Sequence, residues 1–270
     1  MDIKTNIAEI GKGVSRRKVL LGGLAAIIAG REAPGVIIRS NLAGEKTKEE
    51  AEGEGGWVNP YVTEGLIAMW DGEWNAGGGV HDPNATVWKD LSGDTDLSLI
   101  AGRGSFTEDA FVMGGGGYAA TAAFADSGLV RSIEICYADI KSEGRWIEVQ
   151  SPNIGYYSQF NQNQLYVSAT TQPKIATVYT SSPSTMSVIY DEDFAATVYR
   201  GAAIVAQSNG TTTSVASASN RVTLGGRYVN NTPSVALTGK YFSVRLYSRA
   251  LSAAEIAYNY GIDKERFNLP

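Results

Sequence analysis

The sequence predicts an all-β protein whose main domain is a two-sheet antiparallel sandwich, and three observations lead to this prediction. Apolar and polar residues alternate in many short runs, such as "SIEICYADI" at residues 132–140 and "GKYFSVRLY" at residues 239–247. Turn residues separate these runs, and glycine occurs 31 times among the 270 residues. Parallel strands need crossovers of about a dozen residues, usually helical, and the spacing between the runs provides none. Two stacked antiparallel sheets are therefore expected.

The amino-terminal part of the chain has a different composition. Residues 1–43 carry Arg16 and Arg17 ahead of an apolar run at residues 19–29, which is too short to span a bilayer. This order is typical of an export signal of the twin-arginine kind, but Arg31 and Glu32 stand where a cleavage site needs small residues. The alternative is a retained arm that attaches the protein to a particle or to sister copies.

Residues 44–58 are acidic and contain several glycines. Such a segment has too little apolar surface to order itself, so it predicts a flexible linker. The main domain is then expected to occupy residues 59–270.

Charge and cysteine content exclude several classes of function. The net charge is −5 and no long run of lysine and arginine occurs, so a nucleic acid partner is not expected. Cys136 is the only cysteine, which excludes an intramolecular disulfide and a multi-cysteine zinc site. It lies in an alternating run, and we expect it to be a buried strand residue.

Strands are predicted along the whole main domain, followed by one helix. The predicted strands are in "GLIAMWDG", "ATVWKDLSG", "DLSLIAG", "SIEICYADI", "RWIEVQ", "IGYYSQF", "QLYVSATT", "TMSVIYDED", "AATVYRGAAIVAQS", "NRVTLGGRY" and "LTGKYFSVRLYSRAL". Ser252 is expected to cap the helix, Glu255 stands three residues later as in a capping box, and Gly261 is expected to end the helix.

Both ends of residues 59–270 resemble laminin-G-like domains with the concanavalin-A-like jelly-roll fold. "GKYFSVRLYSRALSAAEIAYNY", residues 239–260, is similar to the last strand and helix of that family, and "GLIAMWDG" and "VWKDLSGDTDLSL" are similar to its first two elements. The "WDG" strand end, the His-Asp pair in a glycine-rich loop and the "WKDLSG" turn further resemble laminin-G-like proteins of gut bacteria and their phages. The resemblance implies a rigid jelly roll that binds glycans or proteins, in some members with calcium; fold alone does not choose among these functions.

The single histidine, His81, stands next to Asp82 in this glycine-rich loop. A catalytic triad would need a serine in an exposed elbow and a separate orienting acid, and neither is evident near "LSGD". We therefore expect His81 to shape the loop by hydrogen bonding, and we keep His81 and Asp82 as candidate ligand-binding residues.

Calcium is the metal that the loop could hold. Asp71, Asp82, Asp90 and Asp96 fall within 26 residues, and carboxylate oxygens are preferred calcium ligands. Asp71 and Asp90 are the candidate ligands, although aspartates in turns of β proteins commonly have a structural role.

Aromatic and amide residues suggest a glycan site. Trp74, in a turn, is expected to expose its ring, while Trp70 and Trp88 are expected in the core. "NIGYYSQFNQNQLY" adds candidate ligand residues that would form a hairpin, with Tyr157 and Gln159 on one face and Tyr156 on the other. The candidates from this segment are Tyr156, Tyr157, Gln159 and Asn161.

These observations predict a non-catalytic recognition module on a virion or cell exterior, with a glycan or surface protein as its ligand. One alternative is a phage structural protein, a decoration or fibre component, that oligomerises or assembles through residues 1–43. The other is a secreted glycoside hydrolase. Such hydrolases need two opposed carboxylates, but Asp191, Glu192 and Asp193 are consecutive and Glu148 stands alone.

Overall fold

The structure is a computed structural model. It describes residues 58–99, 104–114, 119–120, 124, 130–140, 145–150, 155–161, 164–167, 174–176, 182–193, 195–207, 221–229, 232–234 and 237–270. The predicted arm, residues 1–43, and nearly all of the predicted linker lie outside the described residues. Within the described part of the chain, no helix is both long and apolar enough to cross a membrane.

The first sheet is antiparallel and contains the longest strands. Its strands are β1 (Leu66–Asp71), β4 (Gly104–Phe106), β5 (Phe111–Met113), β7 (Ser132–Ala138), β12 (Ser184–Tyr190), β13 (Ala196–Arg200), β14 (Ala203–Gln207) and β18 (Gly239–Tyr247). Their order in the sheet is β14-β13-β12-β7-β18-β5-β4, and β1 also pairs with β18. Strand β18 is central because it pairs with β7 on one side and with β1 and β5 on the other.

The second sheet is also antiparallel. Its strands are β2 (Val87–Trp88), β3 (Leu97–Leu99), β6 (Ala119–Ala120), β8 (Arg145–Gln150), β9 (Gly155–Asn161), β10 (Gln164–Val167), β11 (Lys174–Ala176) and β15 (Arg221–Leu224). Their order in the sheet is β11-β10-β9-β8-β15-β6-β3-β2. A separate two-stranded ribbon joins β16 (Arg227–Val229) to β17 (Thr232–Ser234). The predicted two-sheet antiparallel sandwich is confirmed.

The main core lies between the two sheets. Trp70, Trp88 and Trp146 are fully buried there, as expected for Trp70 and Trp88. The indole N–H group of Trp70 donates to the Thr95 carbonyl at 2.9 Å, and that of Trp88 donates to the Asp71 carbonyl at 2.8 Å. Each of these rings therefore contributes apolar area without leaving a buried donor unpaired.

Helix α1, Ala253–Arg266, packs on the other side of the first sheet, away from the second sheet. Alternation along β7 and β18 shows which side of the sheet the helix covers. Ile135 and Val244 belong to the main core, whereas Glu134 and Arg245 point to the opposite side and bond to helix residues. The predicted capping box is present, with Ser252 and Glu255 bonded to each other's backbone N–H groups. The Glu255 carboxylate also accepts hydrogen bonds from Arg249, which lower the pKa of Glu255 to about 2.

Two predicted element boundaries were wrong, and one hairpin was missed. Helix α1 continues through Gly261 to Arg266. Strand β2 is only two residues long, because the next N–H groups bond elsewhere: Lys89 to the Asn75 carbonyl and Leu91 to the Met69 carbonyl. The hairpin of β4 and β5 was not predicted at all.

Candidate ligand-binding surfaces

The glycine-rich loop between β1 and β2 is a closed, internally bonded structure. Fully buried Asn75 makes two hydrogen bonds to the backbone of Asp82: its amide donates to the carbonyl at 2.7 Å, and its oxygen accepts from the N–H at 2.8 Å. Gly77, Gly78 and Gly79 all have positive φ, which only glycine adopts readily. The sequence did not single out Asn75, although an asparagine just before a glycine run is a common turn residue.

His81 and Asp82 have local bonding roles in this loop. Nδ1 of the half-buried His81 lies 3.1 Å from the Gly72 carbonyl oxygen, and the carbonyl can only accept, so Nδ1 carries the proton in this contact. The Asp82 carboxylate accepts from the Asn84 N–H at 2.8 Å, closing a turn. His81 thus makes a hydrogen bond within the loop, as expected, and a ligand-binding role of either residue stays a prediction.

Trp74 is half-buried, and the guanidinium of Arg266 covers one face of its ring at 3.7 Å from the centroid. The prediction of an exposed ring is wrong for that face. The reason is the unpredicted last turn of helix α1, which brings Arg266 over the loop. A cation over an indole is a stabilising contact in its own right, so Trp74 here joins the loop to the helix.

Asp71 is fully buried and pairs with Arg266. Both of its oxygens accept from the guanidinium, at 2.8 and 3.0 Å, and Oδ1 also accepts from the Glu73 N–H. Burial raises the pKa of Asp71, and the charge of Arg266 opposes that rise. The guanidinium already supplies the positive charge that balances this carboxylate, so Asp71 has a structural role in the ion pair.

The Asp90 side chain accepts hydrogen bonds from the backbone of β1 and of the turn that follows β2. One carboxylate oxygen accepts from the N–H groups of Met69 and Ser92, each at 2.9 Å, and the other accepts from the Thr95 N–H at 3.1 Å. The carboxylates of Asp71 and Asp90 thus accept hydrogen bonds from other groups of the protein. Among the described residues, no three histidine, cysteine, aspartate or glutamate side chains lie close enough together to hold a metal ion.

A buried ionic network joins the first sheet to helix α1. Arg245 on β18 donates to both oxygens of Asp263 on the helix, at 2.8 and 2.6 Å, and its Nε donates to Glu134 on β7 at 3.0 Å. These three side chains are fully buried. Burial alone would lower the pKa of Arg245, but the two carboxylates outweigh it and raise that pKa well above its usual value.

The same network holds the start of the domain. Tyr61 donates to Asp263 at 2.7 Å, its ring lies under Arg245 at 3.9 Å, and the Val62 N–H donates to Asn259 at 3.0 Å. Cys136 is a buried strand residue, as predicted, and burial raises the pKa of its thiol well above its usual value. A protonated thiol of this kind is a poor nucleophile.

Register places the amide and aromatic candidates on the second sheet. β9 and β10 form the predicted hairpin, and its register pairs Gln159 with Tyr166 and Asn161 with Gln164. Tyr157 pairs with Glu148 on β8, whereas Tyr156 pairs with Val149, which belongs to the core. The backbone register therefore puts the positions of Tyr157, Gln159 and Asn161 on the outer side of the sheet, away from the main core, and that of Tyr156 on the core side. At Glu148 and Thr223, whose burial is described, this outer side is covered, at 2% and 1% exposed.

A bulge in β8 extends this face. The register skips one residue between Arg145 and Ile147, and the consecutive residues Trp146 and Ile147 are both in the core. Arg145 and Glu148, on either side of this pair, are then both outer-face positions. We call the following positions the polar face: Arg145, Glu148, Tyr157, Gln159, Asn161, Gln164, Tyr166 and Lys174.

Solved structures share this fold at low sequence identity. The chain matches the Trypanosoma rangeli sialidase in complex with sialic acid at a TM-score of 0.53 and 14% identity, over 74% of this chain and 33% of the sialidase. It matches the receptor-binding domain of botulinum neurotoxin type G at 0.54 and 12%, over 74% of this chain and 51% of that domain.

A third structure is matched over almost its whole length. It is domain 4 of AbnA, an extracellular GH43 arabinanase from Geobacillus stearothermophilus, in complex with arabinotriose, with a TM-score of 0.51 and 13% identity over 72% of this chain and 98% of that domain. No protein-family model and no curated protein matches the chain. The fold is therefore similar to that of concanavalin-A-like, lectin-like β-sandwich domains.

Proposed function

We propose that the chain is a non-catalytic recognition module on a virion or cell exterior and that it binds a glycan on the polar face. The observation that carries this proposal is the register of β8 to β11, which places Tyr157 and Tyr166 among Gln159, Asn161 and Gln164 on one outer face. Tyrosine rings stack on sugars, and amides both donate to and accept from hydroxyls. The arabinotriose complex of domain 4 of AbnA supports the same use of this fold.

Two further features support binding over hydrolysis. Among the described positions of the polar face, Glu148 is the one carboxylate, and it is only 2% exposed. Hydrolysis by a retaining or inverting mechanism needs two carboxyl groups flanking the scissile bond. A bound glycan is accordingly expected to remain intact, with no new reducing ends after prolonged incubation.

The proposal extends the laminin-G-like resemblance, and the particle-assembly alternative has its own test. If the protein is a phage decoration or fibre component held by residues 1–43, intact Met1 or Asp2 is expected on assembled particles. If that segment is an export signal, the mature amino terminus is expected near residues 30–45.

A glycan array probed with the purified protein tests binding directly. We expect a limited set of related glycans to bind, and Tyr157→Ala to weaken that binding by about 1–3 kcal/mol, the effect of losing an aromatic contact at the centre of an interface. The matched control is Tyr258→Ala, which removes an exposed tyrosine of helix α1. A flat array with folded protein, or equal losses in the two variants, would overturn the proposal.

A further inference from the structure

Residues 82 and 83 form the only Asp-Pro pair in the chain, and the pair lies in the glycine-rich loop. The carboxylate of an aspartate is a nucleophile that can attack the backbone next to it. Before most residues a competing reaction exists, in which the following backbone nitrogen attacks the side chain, but Pro83 has no N–H to lose. Its nitrogen belongs to a tertiary amide and can leave as a secondary amine. Attack of the carboxylate on the Asp82 carbonyl carbon is therefore the route open at this bond.

The structure holds the Asp82 carbonyl oxygen between two donors. The side-chain amide of Asn75 donates to this oxygen at 2.7 Å, and the Ala85 N–H donates to it at 3.2 Å. Asn75 is fully buried and its own carbonyl accepts from the Lys89 N–H at 2.9 Å, so its amide is fixed in place. Negative charge develops on a carbonyl oxygen when its carbon becomes tetrahedral, and fixed donors stabilise that charge.

The Asp82 carboxylate is folded back across the same bond. Its Oδ1 accepts from the Asn84 N–H at 2.8 Å, and the ring that this hydrogen bond closes contains both the Asp82 carbonyl carbon and the Pro83 nitrogen. A nucleophile held beside its target reacts as if it were present at a very high concentration. Pro83 and Asn84 are exposed, so protons and water reach the bond.

We infer that the Asp82–Pro83 bond is a site of self-cleavage in mildly acidic solution. A carboxylate oxygen of Asp82 forms a bond to the carbonyl carbon of the same residue, the bond from that carbon to the Pro83 nitrogen breaks, and the nitrogen takes a proton from the solvent. One water molecule then opens the cyclic anhydride left on Asp82. The net change is the hydrolysis of one peptide bond, and it requires no other reactant.

The two fragments are expected to stay together after cleavage. Strand β1 remains paired with β18, and the indole N–H of Trp88 donates to the Asp71 carbonyl across the break. The product is a folded domain with an opened loop and a new amino terminus at Pro83. This reaction is independent of glycan binding on the polar face.

A second Asp-Pro bond in the same chain provides the matched control. Asn59 precedes Pro60, and its side chain accepts from the Tyr61 N–H at 3.0 Å, as that of Asp82 does from Asn84. No described residue donates to the Asn59 carbonyl. The variant Asn59→Asp thus has two Asp-Pro bonds in similar turns, and the two donors are present only at the bond after position 82.

The Asn59→Asp protein is incubated at the lowest pH at which circular dichroism shows the native fold, and denaturing mass spectrometry measures cleavage at both bonds. We expect the bond after position 82 to break roughly tenfold or more faster than the bond after position 59. In urea at the same pH the donors are lost, and the two rates should be equal.

Two further variants test the roles of the carboxylate and of the donor. Asp82→Asn keeps an acceptor for the Asn84 N–H and is expected to abolish cleavage after position 82. Asn75→Ala, added to Asn59→Asp, is expected to slow that cleavage roughly tenfold or more and to leave the bond after position 59 unaffected. Equal rates at the two bonds of the folded protein, no cleavage after position 82, or unchanged cleavage in Asp82→Asn would overturn the inference.

Discussion

Asn75 is the residue on which the glycine-rich loop depends. Its side chain is fully buried and makes both of its bonds to the backbone of Asp82, and its own carbonyl accepts from the Lys89 N–H at 2.9 Å. One asparagine thereby connects the start of the loop to its far side and to the end of β2. Because glycines with positive φ have little preference for this path by themselves, the amide determines the loop conformation.

Replacing this amide tests that role. Asn75→Ala leaves the N–H and carbonyl of Asp82 without their partner in a partly buried position, so we expect the free energy of unfolding to fall by about 1–3 kcal/mol. Urea unfolding of the purified protein measures the change. Asn84→Ala is the control, since Asn84 is exposed in the same loop and should cost much less. Similar losses in the two variants would show that Asn75 does not determine the loop.

Secondary-structure elements were predictable where their cause is local. Alternation predicted β7 and β18, and the Ser252 and Glu255 pair predicted the start of helix α1. The end of that helix was not predictable, because Asp263 and Arg266 are held by Arg245 and Asp71, residues far away in sequence. The same cause explains the error at Trp74, whose ring is covered by that extra turn.

The sequence contains a signal for the buried network. Polar residues occupy period-two positions in otherwise apolar strands, as Glu134 in β7 and Arg245 in β18. Asn259 and Asp263 are four residues apart and therefore lie on one face of the helix. Together they indicate a buried polar layer between helix and sheet, although the pairing of individual residues requires the fold.

Gly261 provides a test at the scale of the helix. It lies inside α1 on the exposed side, and a Cβ added there would meet no atom within 4 Å. Gly261→Ala is therefore expected to stabilise the protein by about 0.5–1 kcal/mol, since alanine restricts the unfolded chain and favours helix. The contrasting variant is Gly201→Ala, where φ is +58° and the new Cβ would approach the Tyr260 ring to 2.9 Å. Urea unfolding midpoints should move in opposite directions, and a loss of stability in Gly261→Ala would contradict the expectation.

At the scale of the whole domain, the two outer sides of the sandwich carry different elements. Helix α1 and the segment from Val58 to Val62 lie on the outer side of the first sheet, where Tyr61 and the helix residue Tyr258 bond across them. The polar face is on the outer side of the second sheet. The segment from Val58 to Val62 and the polar face are therefore on opposite outer sides of the two sheets.

Arg245 contacts the first sheet, helix α1 and Tyr61 of the amino-terminal segment, so its loss should destabilise all three. Arg245→Met leaves Glu134 and Asp263 buried without their cation, for which we expect a loss of about 3–5 kcal/mol in the free energy of unfolding. The matched control is Arg249→Met, which breaks a pair with Glu255 that is 28% exposed on both sides and should cost about 1 kcal/mol or less. Urea unfolding of the two variants measures the difference, and a variant of Arg245 that is already unfolded without urea agrees with the larger loss. Equal, small losses would show that the helix and the amino-terminal segment are held by their apolar contacts rather than by this network.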